Sequence, residues 1–217
     1  MPVTTLQNLS VPFEGEQNSS LLMPKLQYRF RVSFTSFGAT VDDNVKVMQA
    51  QVVDVTRPNL TFEQITLDAY NSRTYLAGKH TWEPVTINLR DDANNNVQKI
   101  VGGQLQRQFD FFEQSSAVSS GTYKFTTKIE ILDGGNGGFN ANVLDAFELV
   151  GCYIENANYN ALNYATNEPV TIALTIRYDN AIQYGAGGAG SPDGVGIATA
   201  RNTQGSTGGE IVSGQGS

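Results

Sequence analysis

The sequence predicts a mainly β protein: a single-domain antiparallel β-sandwich or barrel with one α-helix packed against it. Three observations carry that expectation. Residues 169–179, P-V-T-I-A-L-T-I-R-Y-D, alternate strictly, with Val170, Ile172, Leu174, Ile176 and Tyr178 on one face and Thr171, Ala173, Thr175, Arg177 and Asp179 on the other. This is the period-2 mark of a strand with one buried and one wetted face. About six further stretches are extended in the same way between Gly, Pro and Asn turns. Only one stretch, Val97 to Phe112, repeats at steps of three and four residues, as an amphipathic helix does.

Length and composition bound the rest. Of 217 residues, the patterned part runs over 22–182, roughly 160 residues, enough for one domain burying about 70% of its unfolded surface. Residues 1–21 are polar and broken by Pro2, Pro12 and Gly15, and read as an N-terminal arm. Residues 183–217 form a Gly/Ser-rich C-terminal extension, and the chain from Ala181 onward holds half of the 22 glycines. Standing alone, such a segment is expected to be disordered, so order in it requires a partner.

In chain order, Leu26, Tyr28, Phe30, Val32 and Phe34 alternate with polar residues and open the fold as its first strand. Val45 to Thr56 predicts a second strand, with a slip near Met48 to Ala50 that suits a bulge. Leu60 to Ala69 and Thr74 to Ala77 predict a hairpin through Tyr70, Asn71 and Ser72, with Ala77, Gly78 and Lys79 turning the chain back. Its apolar residues fall on both faces, which leaves two readings open: a surface flap, or an arm that adds to a neighbouring chain. Val85, Ile87 and Leu89 then mark a strand behind Trp82. Asp91 to Asn96 supplies groups suited to a helix N-terminus. Behind them Val97, Ile100, Val101, Leu105, Phe109 and Phe112 form the apolar stripe, with Gln98, Arg107, Asp110 and Glu113 outward. Gly102 and Gly103 inside it predict a close backbone approach or a break. Tyr123 to Leu132 is a strand with Tyr123, Phe125, Ile129 and Ile131 inward and Lys124, Thr126, Lys128 and Glu130 outward. Val143 to Glu155 extends again, Asn156 to Thr166 connects, and 169–179 closes the fold.

The chemistry expected of an enzyme is missing. Gly185, Gly187 and Gly190 match G-x-G-x-x-G, but a turn at Ser191 to Gly194 replaces the helix that a dinucleotide site needs. His80, the one histidine, has no thiol or carboxylate cluster beside it in sequence. Asp91, Asp92 and Asp133 lack the alternating oxygen ligands of a calcium loop. Cys152, the one cysteine, excludes an intrachain disulfide and reads as a half-buried strand thiol. No Ser/His/Asp, Cys/His or zinc arrangement is present. The expectation is a protein that is not an enzyme, with no catalytic, cofactor-binding or metal residues. The formal net charge of −7 argues against sequence-independent nucleic-acid binding, which needs a basic face. No apolar run is long enough for a membrane span. The first residues lack the charged and apolar regions of a signal peptide, so the N-x-S/T matches at Asn8, Asn18 and Asn59 carry little weight.

Two segments resemble a known family. Residues 73–87, R-T-Y-L-A-G-K-H-T-W-E-P-V-T-I, followed by Asp91, Asp92 and the helix, are similar to the tail tube proteins of contractile-tailed bacteriophages. There an Ala-Gly turn and an aromatic residue lead into a strand ending in acidic residues before the helix. Phe147 to Gly151, an Asn-rich connection, Asn167, Glu168 and a last strand ending in Tyr178 and Asp179 follow the same order. Family members often carry a proline a few residues after that glycine, where this chain has Ile154. The resemblance covers residues 25–180.

The resemblance implies hexameric rings of small β-barrels stacked into the inner tube of a contractile tail, a conduit for DNA ejection that holds DNA in its lumen without sequence-specific binding. It implies a hairpin reaching the next subunit or ring, placed on Arg57, Pro58, Leu60, Phe62, Ile65, Arg73, Tyr75, Lys79 and Trp82. Thr171, Ala173, Thr175 and Arg177 become candidates for the lumen face, with Arg177 paired to Asp179 or to a neighbouring subunit. The partners implied are further copies of the chain, the tail sheath, baseplate and tail terminator proteins, and the tape measure protein and genomic DNA in the lumen. The location implied is the virion tail, assembled in the host cytoplasm. A net negative wall suits passage of a phosphate backbone. Two alternatives stand beside this one: the tube of a type VI secretion or tailocin-like machine, and a soluble β-sandwich binding module.

Overall fold

Phe30, Val32 and Phe34 share one face of the first strand, β1 (Phe30–Thr35), and the latter two are buried. The computed structural model that shows this describes residues 24–38, 48–133, 141–165 and 167–184. The expected arm, most of the C-terminal extension and the glycine-rich match at Gly185 lie outside the described residues. The second strand, β2 (Val52–Val55), is shorter than the sequence predicts. Met48 to Ala50 are helical, and Gln51 N donates to Met48 O at 3.0 Å. The slip in alternation there marks a helical turn that drives Met48 fully into the core, not a bulge.

After β2 a hairpin, β3 (Leu60–Ala69) and β4 (Ser72–Trp82), leaves the body of the molecule. Ala77, Gly78 and Lys79 do not turn the chain back. They sit inside β4, where the register slips against Phe62 and Gln64. β5 (Val85–Arg90) buries Val85, Ile87 and Leu89.

The helix α1 (Asn96–Gln108) buries Val97, Ile100, Val101 and Gln104. Its N-cap Asn95 makes no side-chain cap. Asp92 does that work from a turn earlier, its Oδ1 accepting from Asn96 N at 2.8 Å and Val97 N at 3.2 Å. The predicted helix continued to Phe112, but Phe109 is already extended at φ −150° and Phe112 is 95% exposed. Asp110 Oδ1 accepts from Phe112 N and Glu113 N, an Asx turn that competes with the helix for the same backbone donors. The glycines cause no break, and a Cβ built on Gly102 would meet nothing within 4 Å.

Two short strands, β6 (Phe109–Asp110) and β7 (Ser115–Ser116), pair across the turn after the helix. β8 (Phe125–Leu132) follows a 3-10 turn at Ser120–Thr122, so Tyr123 falls before the strand. The long β9 (Val143–Asn158) leads by way of the Asn-rich loop to β10 (Thr171–Arg177). The expected closing strand is not the last, because β11 (Asn180–Tyr184) follows it. Val170, expected in the core, precedes β10 and is 44% exposed.

The main sheet runs β1-β8-β9-β10-β5-β2, with β11 also on β9. β10 and β11 lie end to end along one edge of β9, since Ala173 faces Asn158, Arg177 faces Tyr153, Asn180 faces Val150 and Tyr184 faces Ala146. Both lines bend at one place. Gly151 has φ +73° and a Cβ there would collide with the Asp179 carboxylate, so only glycine suits this corner. The corner divides the sheet into two walls around one core: β1, β8, β11 and the first half of β9, then the second half of β9, β10, β5 and β2. α1 covers the core with Val97, Ile100 and Val101, and its polar side chains tie it in place. Gln104 Nε2 donates to Tyr123 O at 2.5 Å and its Oε1 accepts from Gly38 N at 2.9 Å, while Gln108 Nε2 donates to Ile154 O at 2.9 Å.

Alternation placed Glu130 outward, and its backbone obeys, yet its side chain is only 5% exposed. Arg31 Nη2 at 2.6 Å and Lys128 Nζ at 2.9 Å close over it. Burial alone would raise its pKa, but those two cations hold the carboxyl below its ordinary range. Cys152 is fully buried rather than half-buried, and burial pushes its thiol up to about 11.

Candidate assembly surfaces

Every residue of β3 is exposed, and β4 is exposed except at Gly78 and Trp82. The ten residues of β3 at about 3.4 Å each make an arm of roughly 34 Å. Its turn is Tyr70 and Asn71, with Tyr70 in the left-handed region at φ 54°. Leu60 faces Trp82 and Phe62 faces His80, so an apolar patch lies on one face at the base. His80 packs tilted against Phe62 and edge-on to Trp82, each ring centroid 6.2 Å away, and Trp82 meets Tyr178 at 5.7 Å, fixing the base to the body. Beyond the slip Ile65 faces Leu76 and Leu67 faces Thr74, a second apolar patch on the opposite face. Gly78 makes the slip feasible, since a Cβ there would lie 2.9 Å from Glu63 O. Arg73 pairs with Asp68 at 2.6 Å near the tip, and Tyr75 is 59% exposed. Arg57 and Pro58 lie in the link between β2 and the arm, and Lys79 lies in the slip itself. Of the predicted hairpin residues, Leu60, Phe62, Ile65, Arg73, Tyr75, Lys79 and Trp82 share one projecting element, divided between its two faces, while Arg57 and Pro58 precede it.

The second surface belongs to the wall made of β10 and its neighbours. Thr171, Ala173, Thr175 and Arg177 all lie on the face of β10 away from the core and are half-buried. Beside them on β5 stand Arg90, Asn88 and Thr86, and on β9 Asn158, Asn156 and Tyr153. The face is small and polar, and most of its charges are matched. Arg177 Nε pairs with Glu155 Oε2 at 3.2 Å, where Glu155 is the extra residue of a bulge between Asn156 and Ile154. The expected partner Asp179 instead meets Lys124 across the corner. Asn88 Nδ2 donates to Asp54 Oδ1 at 2.8 Å. Alternation in β5 already shows Thr86, Asn88 and Arg90 as a polar face; their place beside β10 is what the sequence does not show. Both outer strands of this wall, β2 and the second half of β9, lack a further strand partner among the described residues. Among the described residues no group of three His, Cys, Asp or Glu side chains could hold a metal ion. No helix among them is long and apolar enough to cross a membrane.

Comparison with solved structures places this architecture. The cap that terminates the tube of the anti-feeding prophage superposes with a TM-score of 0.57 at 13% identity, covering 78% of this chain and 97% of that one. A chain of the PVC sheath–tube complex, from an extracellular contractile injection system in its extended state, gives 0.53 at 13% identity over 75% and 92% of the two chains. The PVC sheath/tube terminator in the extended state gives 0.52 at 12% identity over 75% and 98%. No protein-family model and no curated protein matches the sequence. At these identities the likeness is one of fold: the chain has the fold found in tube and tube-terminating proteins of contractile systems.

Proposed function

We propose that this chain, which carries the fold of contractile-system tube proteins, is a structural subunit of the inner tube of a contractile tail. Copies associate in rings, expected to be hexameric, that stack into a conduit for phage DNA. The observation that carries the reading is the wall of β9, β10, β5 and β2: two unpaired edges, and an outward face that is small, polar and nearly charge-balanced. An edge strand left open is an aggregation hazard unless another chain continues it. Joining β2 of one copy to β9 of the next closes this wall into a barrel and removes its two open edges. Thr171, Ala173, Thr175 and Arg177 then face the lumen, where unpaired cations would grip passing phosphates. The hairpin's two apolar patches supply contacts to neighbouring copies. The sheath, baseplate, terminator and tape measure proteins are the further partners, the phage tail is the location and the host cytoplasm the place of assembly, and the subunit needs no catalysis.

Electron microscopy of the purified full chain tests this. Tubes or rings are the expected result, and a chain with residues 64–77 replaced by a two-residue turn remains monomeric. A full-length protein that stays monomeric at high concentration overturns the reading. A second role, a cap ending the tube, is favoured by the likeness to the prophage cap and the PVC terminator. Single rings that never stack would select it. A tube of a secretion-type machine is separated by whether DNA or protein cargo copurifies with the native particle.

A further inference from the structure

The turn between β6 and β7 leaves an aromatic knob. Phe111 is 58% and Phe112 95% exposed, and Phe109 braces Phe111 edge-on at 5.6 Å. The knob is held in shape: Asp110 Oδ1 fixes Phe112 N at 2.9 Å and Glu113 N at 3.3 Å, and Gln106 Nε2 holds Asp110 at 3.0 Å. Its charges are acidic, Asp110 and Glu113. A rigid aromatic pair loses little conformational freedom on insertion, which favours it as an anchor.

A cleft of about 620 Å³ opens between β1 and β2. Its floor is apolar, from Phe30, Val55 and Ile131, and its rim carries Lys25, Arg29 and Arg57. Asp54 is also on the rim, engaged by Asn88, and Lys25 reaches Asp145 at 3.4 Å. Arg57 makes no hydrogen bond or ion pair among the described residues. An apolar floor with a cationic rim complements an aromatic tip flanked by carboxylates.

The two features sit at opposite ends of β1. The last turn of α1, which carries the knob, is tied by Arg107 Nη1 to Ser36 O at 3.3 Å and Gly38 O at 2.7 Å. The cleft opens at Arg29 and Phe30, six residues away, roughly 20 Å along a strand. We infer that Phe111 and Phe112 of one copy seat in the β1/β2 cleft of a second copy, with Glu113 against Arg57. A knob at one end and its socket at the other make a head-to-tail contact, which propagates from copy to copy. The inference rests on the self-assembly proposed above and adds an interface separate from the hairpin.

The test uses the full chain. Phe112→Cys with Gln27→Cys, a cleft residue, is expected to give a ladder of disulfide-linked oligomers on oxidation, and mixing the two single variants gives dimers. Buried Cys152 does not interfere. Phe111→Ala with Phe112→Ala raises the concentration needed for assembly at least about tenfold. Arg57→Glu raises it about fivefold, and adding Glu113→Arg restores it. Tubes that form at wild-type concentration in the aromatic variant, without cross-links in the cysteine variant, overturn the interface while leaving self-assembly intact. Failure of the wild-type chain to assemble overturns both. A Leu9→Cys chain that cross-links to Gln27→Cys within one copy shows residues 1–23 in the cleft and overturns the inference as well.

Discussion

Gly102 and Gly151 respond to alanine with opposite sign. Gly102 lies inside α1, where an added methyl meets nothing within 4 Å. Replacing it stabilises the fold by about 1 kcal/mol, because alanine restricts the unfolded chain and favours the helix. Gly151 lies at the corner of β9 with φ +73°. A side chain in that region costs about 1–2 kcal/mol. The new Cβ also displaces the Asp179 carboxylate, which loses Lys124, an exposed pair worth up to about 1 kcal/mol. The bond from Asp179 N to Val150 O, 3.0 Å long, is strained, at a further cost of about 1 kcal/mol. Gly151→Ala therefore destabilises by about 3 kcal/mol. Asp179→Ala removes the obstacle, so the double variant loses only about 2 kcal/mol, less than the sum of the singles. Urea unfolding of the full chain below its assembly concentration, followed by Trp82 fluorescence and circular dichroism, measures all four. Equal effects of the two alanines, or an additive pair at the corner, would refute the account of where backbone space is limiting.

Three further outcomes follow from the same geometry. Ile172→Lys abolishes folding, since a buried ammonium without a partner costs several kcal/mol, whereas Thr175→Lys folds and assembles with a change under about 1 kcal/mol and, in the proposed tube, slows DNA release by adding a cation to the face proposed to line the lumen; circular dichroism and an ejection assay read the two, and tolerance of lysine at 172 with unfolding at 175 sinks the facing. Glu130 titrates lower folded than unfolded, so its stabilisation is present above about pH 4.5, its ordinary value, and is lost as pH falls through the depressed folded value. Glu130→Gln flattens the acid limb of the stability curve, and an unchanged acid limb counts against the Arg31–Glu130–Lys128 cluster. Cys152, buried with its thiol at about 11, stays unlabelled by a thiol reagent at pH 8 until urea unfolds the chain; rapid native labelling contradicts its burial.

The strands legible in the sequence are those with one face against the core. Val85, Ile87 and Leu89 on β5 and Ile172, Leu174 and Ile176 on β10 are all fully buried or nearly so, and period 2 reports that directly. What failed to show has a physical reason in each case. Met48 is as apolar as a strand residue but enters the core from a helical turn, and apolarity does not encode which backbone delivers it. Phe109 and Phe112 keep the helical step after the helix has ended, because Asp110 captures the backbone donors that the next turn requires. Glu130 points outward by alternation, and only pairing with β1 brings Arg31 over it. On the candidate site, the polar face of β10 was legible, but Glu155 as the partner of Arg177 depends on a bulge in a strand more than 20 residues away in sequence.

The hairpin shows why sequence pattern and assembly are hard to separate in such a chain. In β3 the apolar positions change face between Phe62 and Ile65, an odd step that would spoil any strand lying on its own core. In β4 the slip at Gly78 and Lys79 shifts the phase by one residue, so that Leu76 comes beside Ile65 rather than behind it. The two irregularities compensate and yield two coherent patches, Leu60, Phe62 and Trp82 on one face and Ile65, Leu67 and Leu76 on the other. One covering surface can bury only one of them. A two-stranded arm without a third strand is marginal in water, and exposed apolar patches of this kind mark contact sites. An arm built this way gains most when it lies between two bodies, one against its base and the other against its tip. Stacked rings provide that arrangement, with a neighbour in the ring on one side and the adjacent ring on the other.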